Sequence, residues 1–315
     1  MSGLVAVSGA TGFIGQHLIA TLSARGVRLR LLVRRLPVLP ADAAIGSIEL
    51  VLGDVTDPPT LRRLVSGATA VIHLAGAIKA LRRADFFRQN AQPVADLLAA
   101  LAATDTRARV LLMSSLAARE PHLSDYAASK RAGEDHLLAA PPVGGWHVIR
   151  APAVYGPGDR ATLAFFRWVK RGIAPLPGGR PGRVSLIHVA DLCGAVATAL
   201  GRPPADGIYE IDDGTDGGYS LREMAAVAAE RLGRRARPVP LPRPLLTGVA
   251  GLQQVIARLT GQPAILSPGK VREIFHPDWR VRDRRLAGAL GFAPRLDIRR
   301  GFTETIDWYV RHKWL

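Results

Sequence analysis

A tyrosine and a lysine four positions apart, Tyr126 and Lys130, are the residues of this sequence best suited to moving a proton. On a helix, residues four apart lie on one face, one turn from each other. An unperturbed phenol titrates near pH 10, which is too high for proton donation at neutral pH. A cation about 4 Å away, at an effective dielectric near 20, contributes about 4 kcal/mol, which lowers the phenol pKa by about three. The spacing therefore predicts that Tyr126 is a general acid.

Two serines, Ser114 and Ser115, follow the apolar run 110–113, and Ser115 precedes Tyr126 by eleven positions. A short apolar run of this kind predicts a buried strand. Ligands of open α/β sheets bind at the carboxyl ends of the strands. The two hydroxyls are therefore expected near the reacting group.

A glycine-rich turn, residues 8–15, separates a strand-like run at 4–7 from a helix-like segment. Glycines let the backbone turn tightly and let phosphates approach it, while free amides at the helix start point at an anion. The spacing G-x-x-G-x-x-G matches the dinucleotide fingerprint G-x-G-x-x-G in part. The turn predicts a pyrophosphate site with cofactor contacts from Gly9, Thr11, Gly12, Phe13, Ile14 and Gly15.

Two arginines, Arg34 and Arg35, end the second predicted strand, where such a unit holds the adenosine ribose. An acidic residue there would favour NAD, whereas a guanidinium suits the 2′-phosphate of NADP by its charge and its fork of donors. The sequence therefore favours NADP(H) over NAD. Asp54, after the third predicted strand, is expected to bond the adenine amine, with capping of the next helix as the alternative.

Taken in order, these segments resemble the extended, epimerase/dehydratase-like branch of the short-chain dehydrogenase/reductase superfamily. The resemblance rests on residues 9–15, Asp54, 74–76, Asn90, 114–115, Tyr126 with Lys130, 150–157 and 187–192. It implies that Tyr126 is the acid/base, that Lys130 lowers its pKa and holds the nicotinamide ribose, and that Ser115 orients the substrate oxygen. Further cofactor contacts are implied for Val55, Leu74, Ala75, Gly76, Asn90, Ser114, Ala151, Pro152 and Val154.

Two departures from the family pattern bear on the substrate. Many members read Arg-Pro where this chain has Arg150-Ala151, and nucleotide-sugar members carry Arg-Asp where it has Val184 and Ser185. Residues 191–193 look like the dihydroflavonol-reductase and 3β-hydroxysteroid-dehydrogenase side of the family. The resemblance thus implies an NADPH-dependent reductase that interconverts a ketone and a secondary alcohol on a lipid-like substrate, of which a 3-oxo-sphingolipid of keto-ceramide type is one example. A nucleotide-sugar epimerase or dehydratase and a non-catalytic NADPH-binding subunit or sensor are the alternatives.

Strand and helix patterns alternate to about residue 160, which predicts an α/β Rossmann fold with a doubly wound parallel sheet. We expect residues 1–160 and 184–212 to form the NADP-binding domain, with 184–200 and 207–211 returning to its sheet. Residues 161–183 and 213–315 are expected to form a smaller, discontinuous substrate domain. The helix-like segment 244–259 is expected to be a lid packed on the core, with an apolar channel wall or a membrane contact as alternatives.

The 315-residue chain carries a net charge of +16, has 48% hydrophobic residues, and contains one cysteine and eight histidines. The scattered histidines and the single cysteine predict no metal site and no internal disulfide. The first strand begins too early to leave room for a signal segment, which predicts a cytoplasmic enzyme, with peripheral contact at the inner membrane face as a variant. The positive charge favours anionic partners such as NADPH, a carrier-bound substrate or an anionic membrane, whereas no nucleic-acid motif is present. For the oligomeric state, the sequence is compatible with both a monomer and a homodimer.

Overall fold

The computed structural model describes residues 3–36, 47–178, 182–264 and 266–315. The strands are β1 Leu4–Ser8, β2 Arg28–Val33, β3 Ile48–Leu52, β4 Ala70–His73, β5 Arg109–Ser115, β6 Trp146–Ala151, β7 Ala153–Tyr155, β8 Ile173–Pro177, β9 Arg183–Val184, β10 Leu186–His188, β11 Gly207–Glu210, β12 Tyr219–Ser220, β13 Arg237–Leu241 and β14 Asp278–Trp279. The α-helices are α1 Phe13–Ser23, α2 Pro58–Val65, α3 Arg83–Asn90, α4 Gln92–Ala103, α5 Asp125–Ala139, α6 Leu163–Lys170, α7 Val189–Gly201, α8 Leu221–Arg231, α9 Arg243–Thr260, α10 Pro268–Ile274, α11 Arg285–Leu290 and α12 Ile298–Arg311. A short 3-10 helix, Leu116–Arg119, follows β5.

The main sheet has seven strands in the order β3-β2-β1-β4-β5-β6-β11. The pairs β2–β3, β1–β2, β1–β4 and β4–β5 are parallel. This order reverses between β1 and β4, which makes the ends of those strands the switch point where doubly wound folds bind ligands. The predicted Rossmann fold is therefore confirmed, and β11 joins the sheet as expected for residues 207–211.

The expectation that residues 184–200 return to this sheet is wrong. Strand β9 pairs with β12 and β14, β10 pairs in parallel with β7, and helix α7 follows. Pro152 lies between β6 and β7 and has no N–H to donate to a ladder. The short β7 therefore stands apart from the main sheet and is the partner that β10 takes.

The chain divides into two compact units, and the division into cofactor and substrate domains stays a prediction. The first unit comprises residues 1–150, 193–209 and 285–292. Its core contains Leu61 and Leu64 of α2 and Leu97 of α4, all fully buried. Helix α2 begins after Asp57, whose carboxylate accepts from the backbone N–H of Thr60 at 3.1 Å. Asp57, and not Asp54, is thus the cap of this helix.

The single cysteine, Cys193, is buried in the first unit. Its Sγ lies 3.8 Å from the carbonyl oxygen of Ile14 in α1. Burial raises the pKa of the Cys193 thiol to about 12, so the group stays protonated at neutral pH.

The second unit comprises residues 151–192, 210–284 and 293–315. Its core is aromatic: the Phe302 ring of α12 makes edge contacts with Tyr155 and Phe166 at centroid distances of 5.2 and 4.9 Å. Gly301 precedes Phe302 in the same helix, and a β-carbon at this position would overlap the Tyr155 hydroxyl. The missing side chain at Gly301 thus lets α12 approach Tyr155.

The predicted helix at 244–259 is confirmed as α9, but the expectation that its apolar face packs on the core is wrong. Leu252 and Leu259 are 63% and 82% exposed, while the side buried against the protein carries Ala250 and Ala257. No helix in the described part of the chain is long and apolar enough to cross a membrane. In the same residues, no group of three or more His, Cys, Asp or Glu side chains is arranged to hold a metal ion.

The close approach at Gly301 predicts that Gly301→Ala destabilises the protein by about 1–3 kcal/mol, because the added methyl group overpacks a rigid site. Gly251 in α9 has open space around its α-carbon, so Gly251→Ala is the matched control. The control is expected to be neutral or stabilising, because alanine favours a helix more than glycine does. Chemical denaturation of the three proteins measures the difference, and equal stability of Gly301→Ala and the parent would contradict this account of the packing.

Candidate active site

The glycine turn joins β1 to α1 at the centre of the main sheet. Gly9 has φ +76°, and a β-carbon there would lie 2.6 Å from the backbone nitrogen of Ala75. Helix α1 begins after Gly12, and among the described residues no side chain caps it and no acidic residue lies in its first turn. The first amides of a helix have no acceptor within it, so they are available to a phosphate. The turn therefore fits a dinucleotide pyrophosphate, and the cofactor contacts of Thr11, Phe13, Ile14 and Gly15 stay a prediction.

The loop after β4 passes beside this turn and beside the predicted catalytic lysine. The backbone N–H of Leu74 donates to the carbonyl oxygen of Ser8 at 3.1 Å. A β-carbon at Gly76 would lie 3.0 Å from Oδ1 of Asn90 and 3.9 Å from Nζ of Lys130. The fold thus brings Leu74, Ala75 and Gly76 together with the glycine turn on one side and with Asn90 and Lys130 on the other.

Asn90, at the end of α3, is buried and uses its amide group on protein atoms. Its Oδ1 accepts from the backbone N–H of Ala77 at 2.6 Å, and its Nδ2 donates to Ala77 O and Ser129 Oγ at 3.0 and 2.8 Å. These bonds hold the loop after β4 against helix α5. Asn90 is therefore a positioning residue in this structure, and its direct contact with a cofactor stays a prediction.

Helix α5 carries Tyr126 and Lys130 on one face, as the sequence predicts. Ser124 caps the helix by accepting from the backbone N–H of Ala127 at 3.0 Å. The half-buried Tyr126 ring meets the Phe86 ring edge-on, with centroids 6.3 Å apart. Lys130 is buried, and its ammonium group donates to the carbonyl oxygen of Met113 in β5 at 2.6 Å. This bond fixes Lys130 at the carboxyl end of β5, beside the two serines.

The two serines at the end of β5 have different surroundings. Ser115 Oγ accepts from the backbone N–H of Ala117 at 3.2 Å, a bond that leaves its own proton available for donation. Ser114 Oγ instead donates to the Glu134 carboxylate at 2.5 Å. The Ser115 hydroxyl is thus the one suited to a substrate oxygen, while the Ser114 hydroxyl is taken up by a carboxylate.

A buried ion pair that the sequence interpretation missed supports this arrangement. Glu134 is fully buried on α5, and Arg150 of β6 donates to both of its oxygens, with Nε to Oε1 at 3.0 Å and Nη2 to Oε2 at 2.6 Å. Glu134 follows Lys130 by four positions, so its place one helical turn further along the same face is the signal that could have revealed it. The pair ties α5 to β5 and β6 around the lysine.

Burial and, to a smaller extent, neighbouring charges shift the pKa values of Lys130 and His73. Burial lowers the pKa of Lys130 to about 8, while the negative charge of Glu134 raises it. His73, at the end of β4, has its pKa lowered to about 3 by burial and by the charge of Lys130. Its Nδ1 bonds Ser8 Oγ at 2.9 Å, whereas its Nε2 is buried without a hydrogen-bond partner among the described residues. His73 is therefore neutral, and Lys130 is the titratable cation of this region.

The predicted adenosine end lies after β2 and β3. Arg34 and Arg35 are both exposed at the end of β2. Asp54 accepts from the backbone N–H and the hydroxyl of Thr56 at 2.9 and 2.8 Å. The bond from the Thr56 backbone, helped by the charge of Arg34, holds the pKa of Asp54 below its usual value against the opposing effect of burial. Asp54 is thus an ionised acceptor near Arg34, and Val55 beside it packs against the core.

The three remaining predicted cofactor residues, Ala151, Pro152 and Val154, belong to the second unit. Ala151 ends β6, and Val154 lies in β7, where it pairs with Ile187 of β10. Ser185, which stands where nucleotide-sugar members carry an acidic residue, donates to Asp212 at 3.0 Å and accepts from the backbone N–H of Val281. The hydroxyl of Ser185 thus serves the internal structure of this unit.

The electrostatics of α5 predict that Glu134→Gln lowers the pKa of Lys130 below about 8, because a negative charge that favours the ammonium form is lost. Asp135→Asn makes the same charge change at the next position, where the exposed carboxylate bonds Arg131, and should leave Lys130 unchanged. NMR titration of the Lys130 side chain measures all three proteins, after thermal melts have shown that each is folded. An unchanged midpoint in Glu134→Gln would refute the proposed influence of this carboxylate.

Comparison with known proteins identifies the family and similar proteins. Residues 5–212 match the sequence profile of the NAD dependent epimerase/dehydratase family. The chain is 41% identical over 313 residues to a ceramide reductase of Caulobacter vibrioides, an alignment that covers 99% of this chain and 96% of that protein. It is 26% identical over 342 residues to a 3 beta-hydroxysteroid dehydrogenase/Delta 5→4-isomerase of Mycobacterium tuberculosis, covering 98% of this chain and 90% of that protein.

Among solved structures, the fold is similar to that of MoeE5 in complex with UDP-glucose and NAD. The TM-score is 0.74 at 22% identity, and the superposition covers 99% of this chain and 100% of that one. At this identity the likeness shows the fold. From the match over residues 5–212 and the arrangement of glycine turn, Ser115, Tyr126 and Lys130, the chain belongs to the NAD dependent epimerase/dehydratase family, whose chemistry is NAD(P)-dependent oxidoreduction.

Proposed function

We propose that this protein is an NADPH-dependent reductase that converts a ketone on a ceramide-like lipid, such as a 3-oxo-sphingolipid, into a secondary alcohol. The observation that carries the proposal is the 41% identity to a ceramide reductase along 99% of the chain. The structure supports an apolar substrate, because the Phe86 ring packs against Tyr126 where the substrate carbonyl would approach. Ser185 supports it as well, since the position lacks the acidic side chain of nucleotide-sugar enzymes and its hydroxyl is already bonded.

The chain's own residues would supply the proton and hold the carbonyl. NADPH, when bound, would supply the hydride for the carbonyl carbon. Tyr126 donates its phenolic proton to the carbonyl oxygen and is later reprotonated from solvent, so that ketone, hydride and proton together give the alcohol. Ser115 donates a hydrogen bond to the same oxygen through the proton that its bond with Ala117 leaves available. Lys130, held by the Met113 carbonyl, keeps a positive charge beside the phenol and stabilises the phenolate that forms.

The preference for NADPH is part of this proposal. Arg34 and Arg35 follow β2, and both are exposed, so their guanidinium groups are available to a 2′-phosphate. Glu49, on the neighbouring strand, bonds Arg30 at 2.8 Å and lies at 3.5 Å from Arg28. Glu49 therefore pairs at the start and middle of β2, whereas Asp54, near Arg34, accepts hydrogen bonds from Thr56.

Replacing the phenol tests the proposed acid. We expect Tyr126→Phe to lower kcat by about 10²–10⁴-fold, because the ring and its contact with Phe86 remain while the proton donor is lost. Tyr209→Phe is the matched control, since the Tyr209 hydroxyl donates to the Ala205 carbonyl in the loop before β11 and serves no proposed chemistry. Turnover with saturating NADPH measures both variants, and wild-type kcat in Tyr126→Phe would exclude the assignment.

Removing the two arginines tests the cofactor preference. The double variant Arg34→Ala/Arg35→Ala should raise KM for NADPH about tenfold or more, with little effect on NADH, because only the 2′-phosphate loses its charge partners. Arg28→Ala controls for loss of charge, since Arg28 is exposed at the opposite end of the same strand. A parallel rise of KM for both cofactors would show that the arginines do not read the phosphate.

The substrate class is tested with the purified protein and a 3-oxo-ceramide dispersed in detergent. We expect NADPH to be consumed and the lipid product to gain two hydrogens by mass spectrometry. Thermal melts with UDP, UDP-glucose, NADH and NADPH are run in parallel, since a ligand at about 100 times its Kd adds about 2.7 kcal/mol. Stabilisation by UDP-glucose without lipid reduction would indicate a nucleotide-sugar enzyme, and NADPH binding without turnover of any ketone would indicate a sensor or subunit.

A further inference from the structure

Helix α9 of the second unit exposes its large apolar side chains, whereas a helix that packs on a core buries them. Leu245, Val249, Leu252, Ile256 and Leu259 recur at spacings of four and three, so they form one stripe along the helix. These side chains are between 39% and 82% exposed, with Val249 lowest and Leu259 highest. We call these five residues the α9 stripe.

The face of α9 turned toward the protein is small and polar instead. Ala250 and Ala257 are the buried residues of the helix, and Gln253, half-buried between them, accepts from the backbone N–H of Leu266 at 2.9 Å. The helix is therefore held by the packing of its alanines and by the hydrogen bond to the Gln253 side chain. Its large hydrophobic side chains contribute little to the folded core. No other helix in the described ranges exposes as many large apolar side chains.

The segment of the chain that carries the stripe has charges of one sign. Residues 232–269 contain five arginines and no aspartate or glutamate. All five, Arg234, Arg235, Arg237, Arg243 and Arg258, are exposed. Strand β13, which precedes α9, adds a further exposed apolar side chain, Val239. An apolar stripe within an acid-free, arginine-rich segment is complementary to a surface that is apolar inside and negatively charged outside.

We propose that α9 docks the protein on an anionic lipid membrane, lying in the plane of the interface with its stripe among the acyl chains. Amphipathic helices bind membranes in this way when basic residues accompany the apolar face, and each arginine near an anionic leaflet adds to the affinity. A second copy of the chain fits the stripe less well, because dimerisation through it would bring two acid-free, arginine-rich segments together. The inference does not rest on the proposed ketone reduction, since binding to lipid requires no turnover.

Vesicle co-sedimentation tests the proposal with the full-length protein. We expect binding to vesicles of phosphatidylcholine with phosphatidylglycerol, weak binding to phosphatidylcholine alone, and loss of binding at high salt. The variant Leu252→Gln/Ile256→Gln/Leu259→Gln keeps good helix formers on the surface and should bind at least about a hundredfold less tightly, because three apolar side chains no longer enter the bilayer. Arg243→Gln/Arg258→Gln should weaken binding to the anionic vesicles and reduce its salt dependence.

The matched control replaces three exposed apolar side chains outside α9: Leu138→Gln/Val143→Gln/Val310→Gln. Their exposures of 46%, 83% and 53% are comparable, so the control should bind vesicles like the parent. Equal loss in both triple variants, or no binding by the parent to anionic vesicles, would overturn the proposal. So would sedimentation of the lipid-free parent as a dimer that the stripe variant dissociates, because a second copy would then cover the stripe.

Two further measurements separate this inference from the proposed function. Thermal melts should show the stripe variant as stable as the parent, because the replaced side chains are exposed. Turnover of a short-chain, water-soluble 3-oxo-ceramide should be the same in the stripe variant and the parent. Lipid binding without such turnover would support the docking surface and contradict the proposed substrate. Turnover without lipid binding would support the proposed substrate and contradict the docking surface.

Discussion

The Glu134 carboxylate is the constraint on which the geometry of the candidate site depends. It lies fully buried on α5, accepts from Ser114 of β5, and forms a two-point ion pair with Arg150 of β6. Three elements of the first unit thus share one charge centre, and any shift of α5 along its axis would break these bonds together. A buried carboxylate without such partners would be strongly destabilising, so the pair is maintained as a whole or lost as a whole.

The ion pair of Glu134 also positions Tyr126, because both residues lie on α5. Lys130 lies one turn from Glu134 and is bonded at its tip by the Met113 carbonyl, which fixes its ammonium group beside β5. Tyr126 lies one turn further toward the start of α5, where Ser124 caps the helix. The register of helix against strand therefore determines how far the phenol and the ammonium group lie from Ser115, and the buried ion pair fixes that register. Asn90 provides a second, uncharged anchor from α3 to the same helix.

Much of this arrangement follows from sequence, because local spacing determines it. The glycine turn, the strand before Ser114, and the helix bearing Tyr126 and Lys130 all form where their patterns predict. The Glu134–Arg150 pair is not visible in the same way, since its partners come from different elements and a charged residue on a helix is usually solvated. The pairing of β10 with β7 is equally non-local, because a short apolar run does not specify its partner strand. In α9 the periodicity identifies the stripe, but the direction in which the stripe points depends on tertiary packing.

The reactivity of Cys193 can report on local opening of the first unit. Its thiol is buried, is held protonated by its surroundings, and contacts the Ile14 backbone at the start of α1. Thiolate is the form that reacts with alkylating reagents, so the folded protein is nearly inert to them. The rate at which such a reagent modifies this single sulfur therefore measures how often the packing around the start of α1 opens. Ligands that order the glycine turn should slow that modification without touching the cysteine.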